Sequence, residues 1–270
     1  VKASELARKQ PFVVSGTIYG ADGKPWAMKG APVTVAVWGL TGKEDLIGVG
    51  GPPGGERTDY KINADPRGHY ELKIAGGGFR IRATALIPYQ GTMVPVDLDP
   101  LDGEPSDDYD LNSFKGIVKD FGLKLTGPRA GGAATHGFNG FQVAVSDASN
   151  ILARSWTRYP KGTHLHVLLQ PIAPLLDGSQ GWPVDVDLDI SWMSEHCDTD
   201  GCAWSGVPYA KYRATAKFVL PNKKVVPARL DVDTAGTLLA PSAVVTFNVQ
   251  QDQFAGPSVL TPTVYVNDEP

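Results

Sequence analysis

The sequence predicts an all-β chain built as two antiparallel β-sandwich domains. Three observations predict it. Apolar residues alternate with polar ones over run after run of five to nine residues, the period that gives a pleated strand one buried and one wet face. The chain of 270 residues holds Gly 31 and Pro 22, which favours many turns and few long helices. No segment sustains a helical period. The only helix candidate is short, Ser4 to Lys9, with Ser4 as N-cap.

The elements follow in order. After an N-terminal extension, residues 1–11, a first sandwich is expected over residues 12–100. FVVSGTIYG sets Val14, Gly16 and Ile18 against Ser15 and Thr17. Asp22-Gly23 supplies a turn. In VTVAVW, Val33, Val35 and Val37 alternate with Thr34 and Ala36, which places Trp38 on the wet side of its strand. Gly39 to Asn63 is long and Gly-rich, and reads as a loop insertion. Gly68 marks another turn. Tyr70, Leu72 and Ile74 then alternate with Glu71 and Lys73, and Phe79, Ile81, Ala83 and Ala85 with Arg80, Arg82 and Thr84.

Residues 101–114 are expected to be an acidic linker. The surrounding stretch carries Asp97, Asp99, Asp102, Glu104, Asp107, Asp108 and Asp110. So many carboxylates with little apolar content suit a solvated joint. Calcium is the one cofactor the composition suggests, although the spacing is not that of a twelve-residue calcium loop. Strand grammar returns over residues 115–270, the expected second sandwich, at Phe121 to Leu125, Phe141 to Val145, Leu165 to Leu169, Val184 to Ile190 and Val245 to Val249. FRIRATALIP (79–88) echoes KYRATAKFVLP (211–221), as equivalent strands of two similar sandwiches would.

At GTIYGADGKPWAMKGAPVTVAVW and ADPRGHYELKIAGGGFRIRATA, the first part resembles the carboxypeptidase regulatory-like domain. The resemblance implies a transthyretin-like sandwich, no active site, and a folding or interaction role in secreted and cell-surface proteins. DFGLKLTGPRAGG and LLQPIAPLLDGSQGWPVDVDLDI are similar to segments of uncharacterised secreted proteins that carry this module. The covalent Lys–Asn cross-links of related sandwiches need a lysine in the first strand, where this chain has Ser15 and Thr17.

Composition narrows the compartment and the partners. The formal net charge of -4 argues against a nucleic-acid partner, which needs a basic face. No apolar run approaches the ~20 residues that span a bilayer as a helix. The chain opens on Val1, which suggests a processed product. Cys197 and Cys202, the only cysteines, lack the two-residue gap of redox and zinc motifs and are expected to form a local disulfide. A secreted or cell-surface location is the corresponding expectation.

Candidate chemistry is sparse. His164 and His166 share one face of a strand, as do Asp185, Asp187 and Asp189, and a hairpin would set the two rows side by side as a metal site or metalloenzyme centre. Asp198 and Asp200 beside the cysteines offer a weaker calcium reading. Among six tryptophans, Trp38, Trp182 and Trp204 are the ligand-facing candidates for a glycan or protein partner, while Trp26 follows a turn. No nucleophile elbow, zinc-protease helix, phosphate loop or dinucleotide fingerprint is present, so no catalytic residue is assigned. The expectation is a secreted, non-catalytic structural or adhesive protein. A filament subunit is its sharpest version, with residues 1–11 or SVLTPTVYVND donated to a neighbour's sheet.

Overall fold

The computed structural model describes residues 9–39, 59–75, 77–105, 113–132, 137–148, 156, 159–197, 202–232, 239–252, 256–260 and 262–267. The chain is all-β and divides into two compact units. Unit 1 is Val1–Lys124 with Pro128–Gly137, and unit 2 is Leu125–Gly127 with Phe138–Pro270.

Unit 1 contains β1 (Val13–Tyr19), β2 (Val33–Gly39), β3 (Asp59–Asn63), β4 (His69–Lys73), β5 (Phe79–Tyr89), β6 (Thr92–Asp97), β7 (Asp99–Pro100), β8 (Ile117–Val118) and β9 (Phe121–Gly122). One sheet runs β3-β2-β5-β6 and is antiparallel throughout. Its alternation is the one read from sequence. Val33, Val35 and Val37 are buried opposite Ala85, Ala83 and Ile81, while Arg80 and Arg82 point away. Branched side chains suit this pleated, half-buried surface. The other sheet runs β4-β1-β9-β7. Here β1 pairs antiparallel with β4 but parallel with β8 and β9, so the sandwich is not purely antiparallel. The buried faces of both sheets close one core around Val14, Ile18, Val35, Ile81, Ile87 and Phe121. Each fully buried side chain of this size contributes roughly 1.5–3 kcal/mol. Trp26 is a core residue whose indole N–H donates to the Ala31 carbonyl at 3.0 Å.

Two glycines meet physical demands that other residues would not. Gly68 has φ +79 and ends a turn in which the Asp65 carboxylate accepts from the N–H groups of His69 and Arg67 at 2.9 and 2.8 Å. A Cβ there would lie 2.6 Å from the Ile18 carbonyl oxygen. Donation by the His69 and Arg67 N–H groups holds the Asp65 carboxyl below the usual aspartate range. The support this carboxylate gives the turn is therefore present above its unfolded pKa and is lost only as pH falls through the lowered folded value. Gly16 lies where Lys119 crosses β1, with the Tyr70 hydroxyl donating to the Lys119 carbonyl.

Of the expected linker, residues 101–104 are exposed and 106–112 lie outside the described residues, but the carboxylates at its start are paired. Asp99 sits in β7, only 3% exposed, pairs with Lys124 and accepts from the Ala130 N–H at 3.0 Å. Asp97 pairs with Arg129 at 3.3 Å, and Asp102 with Lys119 at 3.1 Å. Cations that follow some 17 to 32 residues later in the chain neutralise these carboxylates inside unit 1. The expected boundary at residue 115 also moves. β8 and β9 belong to the first sandwich because they pair with β1, and Thr17 N–H donates to the Asp120 carboxylate at 2.7 Å. Asp107, Asp108 and Asp110 lie outside the described residues. So do most of the Gly-rich insertion, whose end forms β3, and all but the last residue of the Ser4–Lys9 helix candidate.

Gln10, near the end of the N-terminal extension, and Phe12, which opens the first sandwich, are held within unit 1. Phe12 N–H donates to the Ser113 carbonyl at 2.8 Å, Ile74 N–H donates to the Phe12 carbonyl at 2.9 Å, and Gly116 packs on Gln10 so closely that a Cβ would lie 2.2 Å from its carbonyl oxygen.

Unit 2 contains β10 (Phe141–Asp147), β11 (His164–Pro171), β12 (Val184–Asp189), helix α1 (Ile190–His196), β13 (Cys202–Val207), β14 (Tyr212–Val219), β15 (Val225–Pro227), β16 (Arg229–Val232), β17 (Ala243–Val245), β18 (Asn248–Asp252), β19 (Gly256–Leu260) and β20 (Thr263–Asn267). Its sheets run β13-β10-β20-β16 and β12-β11-β14-β15. These repeat the strand order of the first unit, apart from β8, which pairs with β1 in unit 1 alone, and β17, which adds to β14 in unit 2 alone. β10 stands where β1 does, paired antiparallel with β13 and parallel with β20, and β16 closes antiparallel on β20 as β7 does on β9. β11, β12, β14 and β15 follow the order of β2, β3, β5 and β6. The two echoing segments, in β5 and β14, hold the same place. Unit 2 adds α1 between β12 and β13, and the β18–β19 hairpin before β20. Its core gathers Phe141, Tyr209, Tyr212 and Phe247, with ring centroids 5.6 to 6.3 Å from that of Phe141.

The C-terminal strand-like segment is therefore occupied within the chain. β20 lies between β10 and β16, with Val264 and Val266 fully buried, and β19 pairs with β18. It is not a free strand held out for a neighbour.

Candidate functional site

The hairpin expected between the histidines and the aspartates forms. β11 and β12 pair antiparallel, setting His164 across from Asp189, His166 across from Asp187 and Leu168 across from Asp185. On its other side β11 meets β14, which places Lys217 opposite His166 and Arg213 opposite Gln170. The outer face thus passes from an acidic edge strand through imidazoles to cations. His164 Nδ1 lies 2.8 Å from an Asp187 carboxylate oxygen, and His166 lies 3.7 Å from Asp187 and 3.9 Å from Asp185.

In this structure the ladder is held as a row of imidazole–carboxylate pairs across the two strands. Asp189 is further diverted, because its carboxylate caps α1 by accepting from the N–H groups of Ser191 at 2.8 Å and Trp192 at 3.4 Å. Among the described residues no group of three or more His, Cys, Asp or Glu is placed to hold a metal ion. The carboxylates on β12, an edge strand of its sheet, have a simpler physical role. They discourage the pairing of that edge with another strand.

The cysteines form the expected disulfide, with Cα atoms 5.1 Å apart. Cys197 ends α1, where its N–H donates to the Met193 carbonyl at 3.0 Å, and Cys202 opens β13. The bridge closes the connection that unit 2 adds to the shared topology. Replacing both cysteines by serine is expected to cost about 2 kcal/mol, the value for so short a loop, measured by urea unfolding. Asp198 and Asp200 lie outside the described residues.

The three tryptophans differ. Trp38 is half-buried, with the Arg82 guanidinium 5.8 Å from its ring centroid. Trp204 is half-buried in β13, its indole nitrogen buried and without a hydrogen-bond partner among the described residues. Trp182 is 45% exposed. Sequence reasoning missed Trp192, which is 52% exposed and stacks on His196, their centroids 4.8 Å apart and planes within 8°. The signal was present. Asp189 is a capping residue, Ile190 and Met193 are buried at i, i+3 spacing, and Trp192 and His196 stand at i, i+4. It also missed Phe12 and Phe114, 42% and 65% exposed, which meet edge to face at 5.5 Å. Phe12 holds a φ of +59, uncommon for a bulky residue.

No family model matches the chain, and no curated protein matches it. Among solved structures it is similar to a streptococcal ancillary pilin, at 12% identity and a TM-score of 0.27 over 93% of this chain and 61% of that one. It is also similar to the shaft pilin spaA from Lactobacillus rhamnosus GG, at 11% identity and a TM-score of 0.23 over 88% and 94%. A single B repeat unit of the collagen-binding surface protein of Staphylococcus aureus follows, at 11% identity and a TM-score of 0.20 over 96% and 98%. The chain thus spans 61% of the length of the ancillary pilin. With TM-scores below 0.3, the strand order described above, and not these likenesses, carries the fold. No helix among the described residues is long and apolar enough to cross a membrane.

Proposed function

We propose that the chain is a non-catalytic extracellular protein that works by surface contact, as a filament subunit or an adhesin. The observation that carries this reading is the presentation of exposed aromatic side chains on braced backbone in both sandwiches. In unit 1, Phe12 and Phe114 are fixed by hydrogen bonds between Phe12 and Ser113 and between Ser113 and Gly77. In unit 2, Trp192 stands on a helix capped by Asp189 and closed by the disulfide. Rigid exposed aromatics bind with little loss of conformational freedom and dominate contact surfaces. The disulfide suits an oxidising compartment outside the cytoplasm. The sequence resemblance to the carboxypeptidase regulatory-like module points the same way.

Sedimentation velocity across a concentration series, with negative-stain microscopy, tests the filament version. Association of the wild-type chain is expected, weakened about tenfold by Phe114→Ser or Trp192→Ala, the 1.4 kcal/mol loss of one moderate contact residue. A chain that stays monomeric at every concentration and also fails to bind intact cell surfaces or extracellular polymers would overturn the reading.

A further inference from the structure

The connection between β11 and β12, residues 172–183, is a preformed loop. Its own Leu175 and Leu176 are buried. Ile172 N–H donates to the Lys211 carbonyl and Leu176 N–H to the Tyr209 carbonyl, both at 2.9 Å. A turn closes on itself through Gly178 N–H to the Leu175 carbonyl, and the Asp177 carboxylate accepts both the N–H and the hydroxyl of Ser179. Gly181 approaches Pro171 so closely that a Cβ would lie 2.9 Å from its ring.

This loop and the end of β11 enclose a shallow groove of about 480 Å³, within the range of small-ligand sites. Among the described residues, no Asp, Glu, Lys, Arg or His lines it. Gln170 and Gln180, both exposed, line it with Ser179, and Pro171 and Ile172 supply apolar wall. Trp182, the exposed ring, is the next residue after the lining Gly181. The lining residues carry no charge to compensate a desolvated one, and although Arg213 stands across from Gln170 on β14, a neutral occupant fits this lining best. Amides that donate and accept, beside apolar wall and a flat ring, match a molecule with a hydroxylated rim and apolar C–H faces.

We propose that the groove formed by residues 170–182 binds a neutral oligosaccharide, with the Gln170 and Gln180 amides bonding sugar hydroxyls and the Trp182 ring stacking on a pyranose face. This inference rests on the reading of the chain as a surface-contact protein and names one of its ligands. The test titrates the full chain by calorimetry with the hexamers of neutral glucans, mannan and xylan, and in parallel with a sulfated glucan of equal length and a proline-rich decapeptide. Saturable binding of a neutral hexamer is expected. It should weaken about tenfold in Trp182→Ala, which removes the stacking surface, and in Gln180→Glu, which places a carboxylate at the rim. Both residues are exposed, so the melting temperatures of the variants should match the wild type, and their self-association should be unchanged. That last readout separates failure of the groove from failure of the contact reading. Three results would overturn the proposal: no saturable binding of any neutral hexamer, equal binding by wild type and variants, or preference for the sulfated glucan or the peptide.

Discussion

Gly16→Ala is expected to destabilise unit 1 by about 3 kcal/mol or more, at the upper end of what overpacking a sheet costs, and to lower its melting temperature by at least about 10 °C. The added Cβ would lie 1.9 Å from the Lys119 carbonyl oxygen, 2.8 Å from the Lys119 carbonyl carbon and 2.8 Å from a Tyr70 ring carbon. Two of these atoms are backbone and cannot swing aside. They belong to the segment joining β8 to β9, which crosses β1 in parallel, with Lys119 N–H donating to the Ser15 carbonyl at 3.0 Å. Forcing that segment outward loosens the carboxylate of Asp120 from Thr17 N–H and strains the seating of Phe121 in the core. Tyr70→Phe is the matched control. It keeps the ring and removes the hydroxyl that donates to Lys119, so its cost should be about 1 kcal/mol. Urea unfolding of the two variants checks the order, and equal stabilities would show that β1 and residues 117–122 do not depend on this close approach.

The parts of the fold that were legible in the sequence share a cause. Val33, Val35 and Val37, or Phe79, Ile81 and Ala83, each belong to a strand with one face in the core, so local alternation reports the tertiary arrangement directly. The echo between residues 79–88 and 211–221 was legible for the same reason. Arg-Ala-Thr-Ala occurs in both β5 and β14, where the first alanine of each is buried against β2 or β11. What was illegible depends on distant partners. β8 and β9 are two residues each, too short to carry a period, and are strands only because β1 lies beside them. Asp97, Asp99 and Asp102 look solvated until Arg129, Lys124 and Lys119 are brought to them. At the candidate site, the sequence placed the histidines and aspartates on facing strands correctly. Nothing in a two-residue repeat reveals whether the side chains converge, and Asp189 was claimed by a helix of seven residues that the alternation of β12 concealed.

Ending the chain at residue 261, which removes β20, is expected to unfold unit 2 outright while the unfolding transition of unit 1 persists. β20 is the strand that both β10 and β16 need. It pairs in parallel with residues 144–147 and antiparallel with residues 229–232. Without it, two rows of backbone donors and acceptors lose their partners at once, and the core loses Val264 and Val266, both fully buried. An unpaired buried backbone group costs about 1–3 kcal/mol, so the sum exceeds the roughly 5–15 kcal/mol that holds a domain folded. The shared topology makes the comparison internal. β9 fills the same slot in unit 1 and is untouched by the truncation. An amide correlation spectrum of the truncated chain should keep the dispersed signals of β1 to β9 and collapse those of β10 to β19. A synthetic peptide spanning residues 262–268 added in trans should restore them, because the slot it enters is a complete strand wide. Retained dispersion throughout unit 2 would mean that β10 and β16 can close on each other, and that the slot is not the organising feature of the sheet.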